Sequence, residues 1–212
     1  MNRFKQLLLA NRAWSVEKAD DDPDYFKRAL TPHNPVFMWI GSSDSRVVPE
    51  RITRSPPGSL YIHRNLGNLV DEGDLNLMAD VEHAIDDLHV RHIILCGHYG
   101  CTSLEKVLRG GASAAIERWL APAREVLAAH REEIDDIRGH EAKLCRFIEL
   151  NVQAQLLRLA HTASVRAAFR RGSELKLHGW VYDLRDGLIK RLLEINRETD
   201  LAALPLPPKV LV

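Results

Sequence analysis

The stretch VFMWIG, residues 36–41, is a continuous apolar run that ends at a glycine. Such a run is typical of a β-strand in a parallel sheet, because helices cover both faces of that kind of sheet. Two further short runs have the same character, SLYIH at residues 59–63 and HIILCG at residues 92–97. A fourth, LKLHGWV, lies at residues 175–181. The first three runs predict buried strands of one sheet, and the fourth segment is expected to be a further strand.

Helical patterns separate and follow the predicted strands. Asp74 can cap a helix whose apolar residues, from Leu75 to Leu88, recur at spacings of three and four. Because strands alternate with helices, we expect right-handed crossover connections and a mostly parallel sheet. The sequence therefore predicts an α/β fold, a single domain with a central β-sheet flanked by helices. Further helices are predicted at about residues 103–108, 114–129, 141–160 and 188–195.

The residues ahead of the first strand predict an N-terminal helical arm. Apolar residues from Phe4 to Trp14 are spaced for one helix face, and a second short helix can follow Pro23. An arm of this kind packs either on a neighbouring subunit or on its own domain, and the pattern leaves both open. The predicted organisation is an arm at residues 1–34 and an α/β domain at residues 35–212.

The composition limits the partners and the compartment. Among 212 residues, Lys and Arg number 29 and Asp and Glu number 29, so the formal net charge is zero. This balance argues against nucleic acid or a membrane as the main partner, since either favours a basic excess. No stretch approaches the roughly 18 apolar residues of a membrane helix, and the apolar run at residues 7–10 is too short for a signal peptide. Three cysteines exclude a disulfide framework and indicate a reducing compartment, so we expect a cytoplasmic protein.

Polar, glycine-bearing turns follow the first three predicted strands. They are GSSDSR at residues 41–46, HRNLGN at residues 63–68 and GHYGC at residues 97–101. In open parallel sheets, ligands bind beyond the carboxyl ends of the strands. We therefore expect these three turns to converge on one crevice.

Two pairs of residues in these turns can carry chemistry. His98 and Cys101 can reach one metal ion from a tight turn, and zinc accepts both an imidazole and a thiolate. A structural histidine beside a buried free cysteine explains the same spacing equally well. Asp44 and Arg46 can form a charge-assisted pair, which is more often structural than catalytic. Cys96 lies inside a predicted strand and is expected to point into the core.

In combination, the motifs resemble the β-class carbonic anhydrases of bacteria and plants. The order and spacing of FMWIGSSDSR (37–46), HRNLGNLV (63–70) and CGHYGC (96–101) match that family, and HGWVY (178–182) resembles its late strand. The resemblance extends over nearly the whole chain, to Asn196. It implies the reversible hydration of carbon dioxide to bicarbonate by a zinc-bound hydroxide.

The resemblance also implies a role for individual residues. His98 and Cys101 match two of the family's three zinc ligands. Asp44 and Arg46 match a dyad in which the arginine holds the carboxylate near the zinc-bound water. The same aspartate can instead swing in and ligate zinc, which closes the site.

A further set of residues matches a regulatory site, and the resemblance extends to assembly. Trp39, Arg64 and Tyr182 match the residues that hold a non-catalytic bicarbonate in the allosteric members, where its binding favours the closed form. In the alternative interpretation, Trp39 and Tyr182 are aromatic residues of the core and Arg64 is a structural ion-pair partner. Members of the family are dimers or larger, so the resemblance implies a homodimer or homotetramer whose arms wrap the partner.

The sequence departs from the family at one ligand position. The family's first zinc ligand is a cysteine in the motif Cys-x-Asp-x-Arg, and Ser42 stands there. A thiol titrates near about pH 8.5 and ionises readily on a metal, whereas a hydroxyl is far harder to ionise. Three outcomes follow: Asp44 ligates zinc with His98 and Cys101, zinc binds weakly, or the site is empty. A second function therefore stays open, that of an altered or inactive member that binds bicarbonate or another small anion.

Overall fold

The computed structural model describes residues 2–32 and 34–210, and the chain forms two compact units divided between Asn34 and Pro35. The first unit is a pair of helices, α1 (Arg3–Asp21) and α2 (Tyr25–Ala29), as predicted. Within it, the rings of Trp14, Tyr25 and Phe26 meet edge to face, with centroids 5.1 to 6.1 Å apart. Every residue of α1 is at least partly exposed.

The second unit is built on a five-stranded sheet of order β2-β1-β3-β4-β5. The first four strands are parallel, and β5 runs antiparallel at one edge. All four predicted strands are confirmed, and so is the mostly parallel α/β fold. The strands are β1 (Phe37–Ser42), β2 (Leu60–Asn65), β3 (His92–His98), β4 (Lys176–Tyr182) and β5 (Ile189–Ile195).

Helices connect and cover these strands. Asp74 caps the helix that follows β2, because its carboxylate accepts hydrogen bonds from the amides of Asn76 and Leu77. Within the described part of the chain, no helix is both long enough and apolar enough to cross a membrane. The helices are α3 (Pro49–Thr53), α4 (Leu75–Asp86), α5 (Thr102–Arg109), α6 (Ala114–Trp119), α7 (Ala121–Ala129), α8 (Arg131–Asp136), α9 (His140–His161) and α10 (Ala163–Arg170).

The long helix α9 lies against the sheet at two glycines. A Cβ atom at Gly97 would lie 2.7 Å from Cγ2 of Val152, and one at Gly179 would lie 3.2 Å from Cγ1 of the same valine. Both distances are shorter than ordinary packing, so the close approach of α9 to β3 and β4 requires residues without a side chain. Gly97 directly precedes His98, the last residue of β3.

The helix predicted around residues 188–195 is wrong, because this segment is β5. Gly187 has a φ of 74°, and its amide donates to the carbonyl of Asp183 at 2.8 Å. This tight turn reverses the chain and brings the next residues beside β4, where Leu192 and Ile195 are buried. The apolar spacing fits a helix, but the turn and the free sheet edge decide the structure.

The single helix predicted at residues 114–129 is also wrong, because α6 and α7 are separate. They meet at Leu120, and Pro122 stands in the first turn of α7. Proline has no amide hydrogen, so it favours the start of a helix over its interior. Three short helices, α3, α8 and α10, lie in segments for which the sequence predicted no element.

Candidate functional site

The carboxyl ends of β1, β2 and β3 lie side by side, because these strands are adjacent and parallel. The three polar turns therefore emerge together at the carboxyl end of the parallel strands, as expected. Ser42 ends β1, Asn65 ends β2 and His98 ends β3. Cys101 follows as the residue directly before α5.

The ring of His98 has one nitrogen in use and one without a partner. Its Nδ1 lies 3.2 Å from the carbonyl oxygen of Tyr99, and since a carbonyl only accepts, Nδ1 carries the hydrogen. Its Nε2 is buried and has no hydrogen-bond partner in the described part of the chain. A buried polar atom without a partner is rare in folded proteins. His98 therefore offers Nε2 to a group that the protein itself does not supply.

Cys101 is placed so that its thiolate is favoured. Burial raises the pKa of this thiol, but His98 in its protonated form and the backbone amides of Ser103 and Leu104 lower it by more, so its pKa lies below the ordinary value. Both amides belong to the first turn of α5, and a helix N-terminus favours negative charge. A nitrogen donor and a sulfur donor thus lie next to each other, which is the pair that zinc prefers.

Asp44 and Arg46 form a close ion pair beside these donors. The Arg46 side chain donates from Nε to Oδ1 of Asp44 at 2.9 Å and from Nη2 to Oδ2 at 2.5 Å. This pairing holds the pKa of the Asp44 carboxyl well below its usual range. Nη2 also donates to the carbonyl of Gly100 at 3.2 Å, and Oδ2 of Asp44 lies 3.6 Å from Nε2 of His98. The carboxylate therefore stays ionised and close to the unused histidine nitrogen.

Ser42 occupies the end of the strand between β2 and β3 and is buried. Among the described residues, no three Cys, His, Asp or Glu side chains form a cluster able to hold a metal ion. Asp44 is paired with Arg46, and Ser42 carries a hydroxyl at the position where the resemblance implies a third ligand. The residues present fit zinc with two strong donors, one fewer than the three protein ligands of an ordinary catalytic zinc site.

Arg64 holds the loop that carries these residues. It donates from Nε to the carbonyl of Ser42 at 2.9 Å and from Nη2 to the carbonyl of Val47 at 2.9 Å. Nη2 also donates to the carbonyl of Asp44. Three bonds from one side chain fix the path of residues 42–47.

Trp39 and Tyr182 belong to a small apolar cluster apart from the main core. Trp39, Ile94 and Cys96 are its buried members, and Tyr182 packs against them. The expected burial of Cys96 is confirmed. The cluster and the bonds of Arg64 fit both the structural interpretation and the bicarbonate site, so the role of Trp39, Arg64 and Tyr182 stays a prediction.

Sequence reasoning missed the side chains that support the turn between His98 and Cys101. The hydroxyl of Tyr99 donates to Oε1 of Glu149 at 2.8 Å, inside the protein. Glu149 lies on α9, 50 residues further along the chain. In the sequence, Glu149 stands out only as an acidic residue among the apolar positions of a predicted helix. That pattern does not indicate which side chain it contacts.

Comparisons with known proteins agree with this geometry. A family model described as Carbonic anhydrase matches residues 37–189. A carbonic anhydrase of Emericella nidulans is 34% identical over 183 residues, which cover 86% of this chain and 80% of that protein. One of Pseudomonas aeruginosa is 35% identical over 178 residues, which cover 79% of this chain and 77% of that protein.

Solved structures of similar proteins have the same fold. A Coccomyxa β-carbonic anhydrase in complex with acetazolamide superimposes with a TM-score of 0.84 at 34% identity, over 90% of this chain and 87% of that one. A tetrameric β-carbonic anhydrase from Sordaria macrospora superimposes with a TM-score of 0.85 at 36% identity, over 91% of this chain and 98% of that one.

Proposed function

This chain belongs to the β-class carbonic anhydrases, and from that membership we propose that it hydrates carbon dioxide reversibly to bicarbonate. We propose zinc as the cofactor, held by His98 and Cys101 and held weakly because Ser42 stands at the third ligand position. The observation that carries this proposal is the buried Nε2 of His98, which has no hydrogen-bond partner among the described residues and lies next to Cys101.

Each residue of the site has a task in this proposal. Zinc, when bound, supplies the acidification of a water molecule, which makes a hydroxide nucleophile available at neutral pH. His98 presents Nε2, because its Nδ1 is bonded to the carbonyl of Tyr99. Arg46 keeps Asp44 ionised and pointed toward His98, where the carboxylate can accept a hydrogen bond from a water and orient it.

The substitution at position 42 weakens the metal site through charge. Two thiolates and a neutral imidazole balance the charge of a zinc ion, whereas one thiolate leaves one positive charge uncompensated. A neutral hydroxyl is also a poorer zinc donor than a thiolate. The present chain therefore needs a higher zinc concentration than a Ser42→Cys variant.

Zinc titration against a chromophoric chelator tests this proposal. Loss of an outer-shell partner alone typically costs about 10- to 100-fold in metal affinity, so restoring a direct ligand by Ser42→Cys is expected to raise zinc affinity by about 100-fold or more. Ser43→Cys is the matched control, because it adds a thiol one residue away on an exposed position. Equal zinc affinities for the two variants would contradict the proposal.

The second candidate function is the binding of bicarbonate without catalysis, and Ser42 favours it because the metal site lacks a strong ligand. Within the residues that the structure describes, the three hydrogen bonds of Arg64 use Nε and Nη2, which leaves Nη1 for an anion. Titration with bicarbonate, followed by tryptophan fluorescence, should then saturate and be lost in Arg64→Ala but not in Arg51→Ala. A titration without any response rules this function out.

We also propose a homodimer or homotetramer in the cytoplasm. The Sordaria macrospora relative is tetrameric, and α1 exposes Phe4, Leu7 and Leu8, apolar residues that a second subunit could cover. The three cysteines are all buried and free, which suits a reducing compartment.

A further inference from the structure

Glu149 is a buried carboxylate that accepts hydrogen bonds from two distant parts of the chain and from its own helix. Its side chain is 1% exposed. The hydroxyl of Tyr99 and the backbone amide of Val210 both donate to Oε1, at 2.8 and 3.1 Å. Nη1 of Arg146 donates to Oε2 at 3.0 Å. A buried charge is tolerated only with partners of this kind, so the position of Glu149 is set by all three donors.

Tyr99 connects this carboxylate to the metal site. It lies in the turn between His98 and Cys101, and its backbone amide donates to the carbonyl of Tyr182 at 3.0 Å. Its own carbonyl lies 3.2 Å from Nδ1 of His98. The hydroxyl of Tyr99 donates to Glu149. Tyr99 is therefore anchored at both its backbone and its side chain.

The extended C-terminal segment is held by the same helix that carries Glu149. Nη1 of Arg146 donates to the carbonyl of Pro207 at 2.8 Å and to that of Pro208 at 3.4 Å. Nε2 of Gln153 donates to the carbonyl of Pro205 at 2.6 Å. Both donor side chains are buried. The segment at residues 205–210 is thus attached to α9 at several points, and its last contact is with Glu149.

We propose that Tyr99 and Glu149 are positioning residues for His98, and that the segment at residues 205–210 is part of their support. The bond made by one nitrogen of a histidine ligand fixes the tautomer and orientation of the other. Here that bond goes to the Tyr99 carbonyl, whose place Glu149 secures. This inference rests on the proposed metal centre, because the orientation of the His98 Nε2 atom matters only if that atom binds the metal.

Metal binding by variants of the Ser42→Cys chain tests the inference. Zinc affinity is measured by chelator competition, and the geometry of the site by the visible absorption of bound cobalt. Tyr99→Phe and Glu149→Gln are expected to weaken zinc binding about 10- to 100-fold, as other outer-shell changes do, and to shift the cobalt spectrum. Tyr61→Phe is the matched control, because that hydroxyl also donates to a carboxylate, on Asp80 at 2.8 Å.

The outcomes separate this inference from the proposed function. If the Ser42→Cys chain binds zinc, and Tyr99→Phe in that chain leaves zinc affinity and the cobalt spectrum unchanged, the positioning role is wrong while the metal centre stands. A purely structural role of Tyr99 would give that result together with a lower melting temperature. If the Ser42→Cys chain does not bind zinc, both proposals fail.

A change of a single atom group tests the contribution of the C-terminal segment. In the same chain, Val210→Pro removes the amide hydrogen that Glu149 accepts, whereas Val210→Ala shortens the side chain and keeps that hydrogen. Val210→Pro is expected to weaken zinc binding about two- to tenfold, the equivalent of one net hydrogen bond, and Val210→Ala to leave it unchanged. Equal zinc affinities for these two variants would show that the segment at residues 205–210 does not support His98.

Discussion

At the residue scale, Arg46 fixes the position of the Asp44 carboxylate. The two side chains are joined by three hydrogen bonds, and a fourth runs from the amide of Arg46 to the same carboxylate. As long as this pair holds, the carboxylate can orient a water but cannot also approach a metal beside His98 and Cys101. The pair therefore limits the proposed zinc site to two strong donors, His98 and Cys101.

Release of Asp44 from Arg46 is predicted to lower the hydration activity and to raise the affinity for zinc. In the unsubstituted chain, Arg46→Gln removes the guanidinium, so that Asp44 becomes the third ligand and zinc affinity rises by about tenfold, or 1.4 kcal/mol. Arg51→Gln removes a nearby positive charge without contacting Asp44 and serves as the control. Chelator competition decides the matter, and a zinc affinity of Arg46→Gln that is unchanged or lower would show that Asp44 does not ligate.

The sequence predicted some of these residues and not others, for a physical reason. His98, Cys101 and Asp44 belong to short motifs at strand ends, where the topology of a parallel sheet itself brings side chains together. Tyr99 and Glu149 are joined only by the packing of α9 against the sheet. No local pattern reports such a contact, so it became visible only in the structure.

At the scale of elements, the approach of α9 to the sheet depends on the missing side chain at Gly97. We predict that Gly97→Ala lowers the free energy of unfolding by about 1–3 kcal/mol, because its Cβ would overlap Cγ2 of Val152. Val152→Ala removes that methyl group, so the double variant should lose at least about 1 kcal/mol less than the sum of the single losses. Urea unfolding measures all three variants, and additive losses would contradict the proposed contact.

The hairpin between β4 and β5 supplies a pH-dependent stability. Asp183 is 2% exposed, and Arg185 and Lys190 each donate to its Oδ2 at 2.9 Å. Hydrogen bonds from Arg185, and then from Lys190, hold the pKa of the Asp183 carboxyl well below its usual range. Since the folded pKa is the lower one, this stability is complete above the unfolded pKa of about 3.9 and is lost as the pH falls below it.

Asp183→Asn tests this contribution. The variant is expected to be about 2 kcal/mol less stable than the unsubstituted chain at pH 7, because Arg185 and Lys190 lose the charge of the one buried carboxylate that they share. The difference should narrow as the pH falls below about 4. Glu174→Gln, on an exposed position before β4, is the control. A difference in unfolding free energy that stays constant from pH 7 to pH 3 would contradict this account.

Element prediction succeeded for the buried strands, and it failed for β5, for the break between α6 and α7 and for three short helices. The buried strands β1 and β3 are continuous apolar runs that only a covered parallel sheet accommodates. For β5, the apolar residues are spaced for a helix as well, and the outcome depends on Gly187 and on the free edge of β4. That free edge exists only once the sheet has assembled, so no short stretch of sequence can indicate it.

At the scale of the whole molecule, the helical arm is predicted to join subunits. Phe4 and Leu8 are one helical turn apart and are 65% and 55% exposed. The double variant Phe4→Glu and Leu8→Glu should shift the mass measured by sedimentation from an oligomer toward the 24.0 kDa monomer. Leu75→Glu changes another leucine, which is 81% exposed, and should leave the mass unchanged. Equal masses for the two variants would contradict a role of the arm in assembly.

The central claim is that this carbonic anhydrase fold carries a complete active site except for one zinc ligand at position 42. Stopped-flow hydration of carbon dioxide, with equal protein and a low, buffered concentration of free zinc, tests it most directly. We expect Ser42→Cys to be faster than both the unsubstituted chain and Ser43→Cys by at least about tenfold, a difference of about 1.4 kcal/mol in the activation barrier. Equal rates for the three proteins would contradict it.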